Sequence, residues 1–99
     1  NQTGPYHRDY NSAIKAFDNF LIEFPGTSFK EDAMFYKFDS AYKLAVNSVA
    51  WKEQERVSKA ISYYNSLLRA FPEPKNAKQL QKMFEDLNSI QNKSTTTKG

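Results

Sequence analysis

The chain has no cysteine, one histidine and three glycines, and no apolar run near the ~20 residues that a membrane-crossing helix needs. Without cysteine there is neither a disulfide framework nor a thiolate site, and the redox compartment stays open. His7 stands in NQTGPYHR, beside Gly4 and Pro5, where an imidazole has no positioned partner to make it a general base. The glycines form no phosphate-cradling loop. With no nucleophile and base pair to place in a cleft, the sequence reads as non-enzymatic and without a cofactor. Asp39, Glu53 and Glu55 are the nearest approach to a metal set, but carboxylates without histidine or a loop of oxygen donors read as a solvated face. No metal site is expected. Asn92-Lys93-Ser94 fits a glycosylation acceptor, a pattern too short to carry weight by itself.

Charge of one sign is also scarce. Fourteen basic and eleven acidic residues leave a net charge of +3, and Lys37, Lys43, Lys52, Arg56, Lys59 and Arg69 are interrupted along the chain by Asp39, Glu53 and Glu55. A nucleic-acid binder concentrates its cations on one face or arm, so no nucleic-acid partner is expected, nor direct insertion into a membrane. What the chain does have is 39% apolar and 15% aromatic residues in 99 positions. That composition supports one small domain whose core is only just sufficient.

The stretch from Ala60 to Pro72, AISYYNSLLRAFP, is a second copy of Ala13 to Pro25, AIKAFDNFLIEFP, 47 residues earlier. Ala13/Ala60, Ile14/Ile61, Leu21/Leu68, Phe24/Phe71 and Pro25/Pro72 coincide, and Phe17/Tyr64 and Phe20/Leu67 are conservative exchanges. A small residue, an aromatic four later, a bulky apolar residue after that and a closing proline is the pattern of the second helix of a tetratricopeptide repeat. Around these copies, apolar residues recur at helical spacing. The first helix carries Ala13, Phe17, Phe20, Leu21 and Phe24 and stops before Pro25. Ser28-Phe29-Lys30-Glu31 reads as a capping box opening a second helix. Its stripe is Phe35, Phe38, Tyr42 and Ala45, widened by Ala33, Tyr36, Ser40, Ala41 and Leu44, as suits a helix with neighbours on two sides. Asn47 and Ser48 mark its end. A third helix carries Val57, Ala60, Ile61, Tyr64, Leu67, Leu68 and Phe71, with Trp51 off its seam. Pro74 or Lys75 opens a fourth helix, on which Ala77, Leu80, Met83 or Phe84, Leu87 and Ile90 form one stripe. The fold class is therefore all-α, a tetratricopeptide-repeat-like antiparallel array of about four helices over residues 9–91. Residues 1–8 and 92–99 read as a disordered lead-in and tail.

From Tyr10 to about Leu87 the sequence resembles the BamD family, tetratricopeptide lipoproteins of the β-barrel assembly machinery of Gram-negative outer membranes. The resemblance rests on Ala13-Ile14, Asn19-Phe20-Leu21 and Phe24-Pro25-Gly26-Thr27, and on Ala41-Tyr42-Lys43-Leu44-Ala45. It continues through Asn47-Ser48-Val49, Lys52-Glu53-Gln54-Glu55-Arg56 and Ala60-Ile61. A generic repeat has a period of ~34 residues, so the offset of 47 places extra residues between Leu44 and Ala60. The resemblance implies extended helices there, a position in the C-terminal part of a longer lipoprotein, and a scaffold role on the periplasmic side of the outer membrane. Its partners would be other outer-membrane assembly subunits. The alternatives are another periplasmic scaffold of this type, such as a Tol-associated or cell-division coordinator, and a small enzyme or peptidoglycan-binding unit, which needs paired carboxylates in a cleft.

Two surfaces follow as expectations. An apolar face around Ile14, Leu21 and Ile22 or their neighbours lacks a covering helix, which predicts self-association of this stretch through the first helix, an association that a longer chain with a preceding helix would not show. The connection from Val46 to Arg56 is the candidate partner surface, with Trp51, Lys52, Glu55 and Arg56 as its binding residues. Trp51 either belongs to that surface or folds over the ends of the second and third helices.

Overall fold

The computed structural model describes residues 10–48 and 50–98. The lead-in expected over residues 1–8, with His7, lies outside the described residues. Four helices follow one another: α1 Tyr10–Glu23, α2 Lys30–Val46, α3 Ala50–Ala70 and α4 Ala77–Lys98. No strand occurs among the described residues. α2 is central, packing on α1, α3 and α4, whereas α1 packs on α2 alone.

Each helix ends where backbone chemistry dictates. Pro25 disfavours helical geometry at Phe24, whose amide makes the last bond of α1, to the Phe20 carbonyl at 2.8 Å. The expected capping box does not form. No side chain caps α2, which begins at Lys30 after Phe29. Instead the Thr27 hydroxyl accepts from the Phe29 amide at 3.1 Å, and the Thr27 carbonyl from the Lys30 amide at 3.2 Å. A tight turn closed by threonine has displaced Ser28 from the capping position. Glu31, released from capping, accepts from the Lys75 amide. Asp32 pairs with the Lys75 ammonium at 2.7 Å, so the first turn of α2 staples the turn before α4. Those carboxylates also lie at the positive end of the helix dipole. At the other end of α2, the Asn47 side-chain amide donates to the Lys43 carbonyl at 2.8 Å and the Ser48 hydroxyl to the Leu44 carbonyl at 2.6 Å. The break expected at these two residues is present, made by side chains that satisfy the carbonyls a helix end leaves open.

The extra residues of the 47-residue offset lie in the helices: α2 and α3 are 17 and 21 residues long, and only residues 47–49 connect them. Pro74 is buried in the turn before α4, and the first bond of α4 runs from the Leu80 amide to the Asn76 carbonyl at 2.8 Å. α4 thus opens at Ala77, later than Pro74 or Lys75. It runs on to Lys98, past Asn92 where composition sets a polar tail apart. Extending a formed helix costs far less than nucleating one.

The core gathers Phe35, Phe38, Ala41 and Ala45 from α2, Val57, Ala60 and Leu67 from α3, and Leu80, Met83 and Leu87 from α4. No residue of α1 is fully buried. Tyr64 lies at the centre of an aromatic run, 5.7 Å from Phe38 and stacked on Phe84 at 4.5 Å.

α2 and α4 are also joined by a hydrogen bond, from the Tyr42 hydroxyl to the Asp86 carboxylate at 2.7 Å. That bond, aided by burial and by the negative charges of Asp86 and Asp39, pushes the Tyr42 pKa up from 10.0 to about 12. The fold therefore favours the neutral phenol. Its contribution is complete below pH 10 and is lost as pH rises through about 12. Urea denaturation from pH 9 upward is expected to show a steeper loss of stability for the parent than for Tyr42→Phe. Equal slopes would mean that the bond contributes nothing.

Candidate functional site

The four residues singled out from the sequence all fall on the first half of α3. At about 100° per residue, Lys52, Glu55, Arg56, Lys59 and Tyr63 share one face, and this face forms a wall of a groove of about 190 Å³. Ala41 and Leu44 of α2 supply the floor, and Asn11 and Ile14 of α1 the opposite wall. α1 and α3 do not pack on each other, because α2 lies between them and keeps the groove open.

The charges here are collected by helical geometry. Along the chain they are interrupted by acids, but in the fold Lys52, Arg56 and Lys59 meet in one groove with Glu55 as the only carboxylate lining it among the described residues. Of the six cations named from the sequence, three line this groove, while Lys37 and Lys43 pair with Asp18 and Asp39. Three of them are far short of the footprint a nucleic acid requires.

The groove is held in shape by named bonds. Arg56 Nη1 donates to Ser48 Oγ at 2.8 Å, and that hydroxyl donates onward to the Leu44 carbonyl. One guanidinium thus fixes the corner between α2 and α3. Beyond Tyr63, Lys37 pairs with Asp18 at 2.8 Å and lies 4.3 Å above the Tyr63 ring, tying α1, α2 and α3 together. Trp51 does not line the groove. It projects from the start of α3 with 79% of its surface exposed, and the Lys52 ammonium sits 4.9 Å from its ring centre. It does not fold over the ends of α2 and α3.

Sequence reasoning missed a second surface. Between α1 and α2, at the end of α2 away from Trp51, lies an open apolar groove of about 330 Å³ lined by Ala16, Phe17, Phe20, Phe29, Asp32, Ala33 and Tyr36. Phe24, next to Phe20 at 5.5 Å between ring centres, stands at the same end. The uncovered face of α1 expected around Ile14, Leu21 and Ile22 or their neighbours falls on the neighbours Phe17 and Phe20 and on Ile22. Ile14, by contrast, packs against the core and Leu21 is half-buried. Ile22, 72% exposed, stands almost opposite Phe20 around the helix. The repeat carried the signal, since Phe17 occupies the position at which Tyr64 is sandwiched.

Among the described residues no group of three histidine, cysteine or acidic side chains is placed to hold a metal ion. No helix among them is long and apolar enough to cross a membrane.

Long antiparallel helices, an internal copy offset by one helix pair and a preformed groove define an array of the tetratricopeptide type. The chain belongs to the outer membrane lipoprotein family YfiO, which it matches over residues 6–93. No curated protein and no solved structure matches it.

Proposed function

We propose that this chain is a non-catalytic protein-binding scaffold acting on the periplasmic side of the outer membrane, in the assembly of β-barrel proteins, as the BamD family does. Its partners in this reading are other subunits of the assembly machinery, and Trp51, Lys52, Glu55 and Arg56 form the contact surface. The observation that carries the proposal is the exposure of Trp51 beside Lys52, on a helix whose next turns face a preformed groove. A large rigid aromatic left in water is costly for a monomer and supplies much of the affinity when a partner covers it. Membership of an outer membrane lipoprotein family supports the location. The mechanism is passive: rigid helices present a surface, and affinity comes from apolar burial at a few anchors within a polar rim.

Capture of purified assembly subunits by the immobilised chain tests this reading. Trp51→Ala is expected to weaken capture about tenfold or more, the effect of removing an interface anchor, with the melting temperature nearly unchanged. Arg56→Ala is expected to weaken it too, with a small loss of stability because Arg56 also holds Ser48. Capture that is indifferent to Trp51→Ala would remove the surface from consideration. Capture of Tol-associated or cell-division proteins in place of the assembly subunits would replace the proposed partners.

A further inference from the structure

Lys37, Lys43 and Lys75 are each paired with a carboxylate, that of Asp18, Asp39 and Asp32, at 2.8, 3.0 and 2.7 Å. The three cations of the groove between α1 and α3 are treated differently. Lys52 lies against the Trp51 ring, Arg56 donates to the neutral Ser48 hydroxyl, and Lys59 forms no ion pair among the described residues. Glu55 stands four residues before Lys59, the order and spacing at which glutamate and lysine pair well on a helix, yet the two are not bridged. The groove thus holds positive charge that the described chain leaves uncompensated. Arg56 is half-buried and uses Nη1 on Ser48, so its planar fork is already fixed and its other N–H donors remain for a ligand.

We infer that this groove takes an extended acidic segment of a partner protein, with carboxylates at alternate positions and an apolar side chain between them. Charge complementarity sets the sign, and size sets the class. At about 190 Å³ the groove falls below the roughly 300–1,000 Å³ of small-molecule sites, so it suits a few side chains of a longer chain. A bilayer surface is flat and does not enter a channel between two helices. Spacing sets the pattern. From Lys52 to Lys59 the α3 wall rises about 10 Å at ~1.5 Å per residue, the length of about three residues of extended chain. Carboxylates two residues apart on such a chain lie on one side, roughly 7 Å from each other, and reach Lys52, Arg56 and Lys59 together. The side chain between them turns the other way, toward Ile14 on the α1 wall. A helix standing to α1 as α2 stands to α3 would pack on Phe17, the counterpart of Tyr64, as Phe38 packs on Tyr64, and would leave this groove uncovered. The inference rests on the proposed reading of α3 as a protein-binding surface, and names the chemistry of the segment bound beside Trp51.

Titration of the isotope-labelled 99-residue chain with the end-blocked peptide Gly-Glu-Leu-Glu-Gly, followed by amide NMR, tests it. Saturable shifts are expected at Lys52, Arg56, Lys59 and Tyr63, and none with the peptide in which glutamine replaces both glutamates. Lys59→Glu is expected to raise the dissociation constant about tenfold or more. Lys78→Glu, on an exposed position of α4, makes the same change in net charge and is expected to leave it unchanged. An amide spectrum unaltered away from the groove checks that Lys59→Glu folds; if it does not, Lys59→Gln serves in its place, with a smaller rise expected. A peptide that shifts none of these amides overturns the inference. So does equal binding of the glutamine peptide, equal weakening by Lys78→Glu, or displacement of the peptide by an equal concentration of inorganic phosphate. If the peptide fails while capture of assembly subunits still depends on Trp51, this inference falls and the proposed function stands. Peptide binding in the groove without capture of those subunits removes the proposed function and leaves the chemistry of the groove in place.

Discussion

Phe38→Ala is expected to lower the free energy of unfolding by about 3–5 kcal/mol, the cost of emptying a buried phenylalanine site that cannot collapse. Phe38 is fully buried in the middle of α2, and its ring has Tyr42 at 6.5 Å and Tyr64 at 5.7 Å. Collapse requires α3 or α4 to move toward α2. Tyr64 is held by its stack on Phe84, and α4 is pinned to α2 at two places, by Tyr42 to Asp86 and by Lys75 to Glu31 and Asp32. The cavity therefore persists. Domains of this size have roughly 5–15 kcal/mol in total, so the variant loses a large fraction of its stability, and its melting temperature should fall by more than about 10 °C. Calorimetry or thermal circular dichroism reads the shift. A fall of only a degree or two would mean that the aromatic run is not the centre of the core.

Helix stripes were legible in the sequence because burial on a helix imposes a 3.6-residue period that no other element shares. Val57, Ala60 and Leu67 illustrate this, as do Leu80, Met83 and Leu87, all buried where spacing put them. The turn chemistry was less legible. Ser28 and Thr27 offer the same hydroxyl to neighbouring amides, and the geometry imposed by Pro25 and Gly26 decides between them. Contacts between residues distant in sequence were not legible at all. Glu31 to Lys75 spans the whole of α2 and α3, and nothing local encodes it.

The candidate surfaces divide along the same line. That Trp51 stands off the α3 seam follows from angular position alone, but its exposure depends on where α2 ends, which Asn47 and Ser48 decide through hydrogen bonds. The cationic groove wall was hidden because reading along the chain interleaves acids that the helix turns away. The apolar groove was located only to the end of α1 and not to its side, because a stripe shows which residues are apolar, not which side a neighbouring helix takes. The repeat alignment contained the answer in the pair Phe17 and Tyr64.

Ala60→Leu and Ala13→Leu are expected to differ, although the two alanines hold the same position in the repeat. Ala60 is fully buried on α3, in one cluster with Ala41 and Ala45 of α2. Small residues on both helices let the backbones approach, and a leucine there must push them apart. The expected cost is about 1–3 kcal/mol, the usual range for added methylenes in a packed site. Ala13 is only half-buried, on a helix that packs against α2 alone among the described helices, so a leucine there displaces fewer neighbours than one at Ala60. Its cost should stay under about 1 kcal/mol. Chemical denaturation of both variants measures the difference. Equal costs would show that α1 is enclosed as α3 is, and the open groove beside Phe17 would then have no physical basis. A larger cost at Ala13 than at Ala60 would break the equivalence of the two copies.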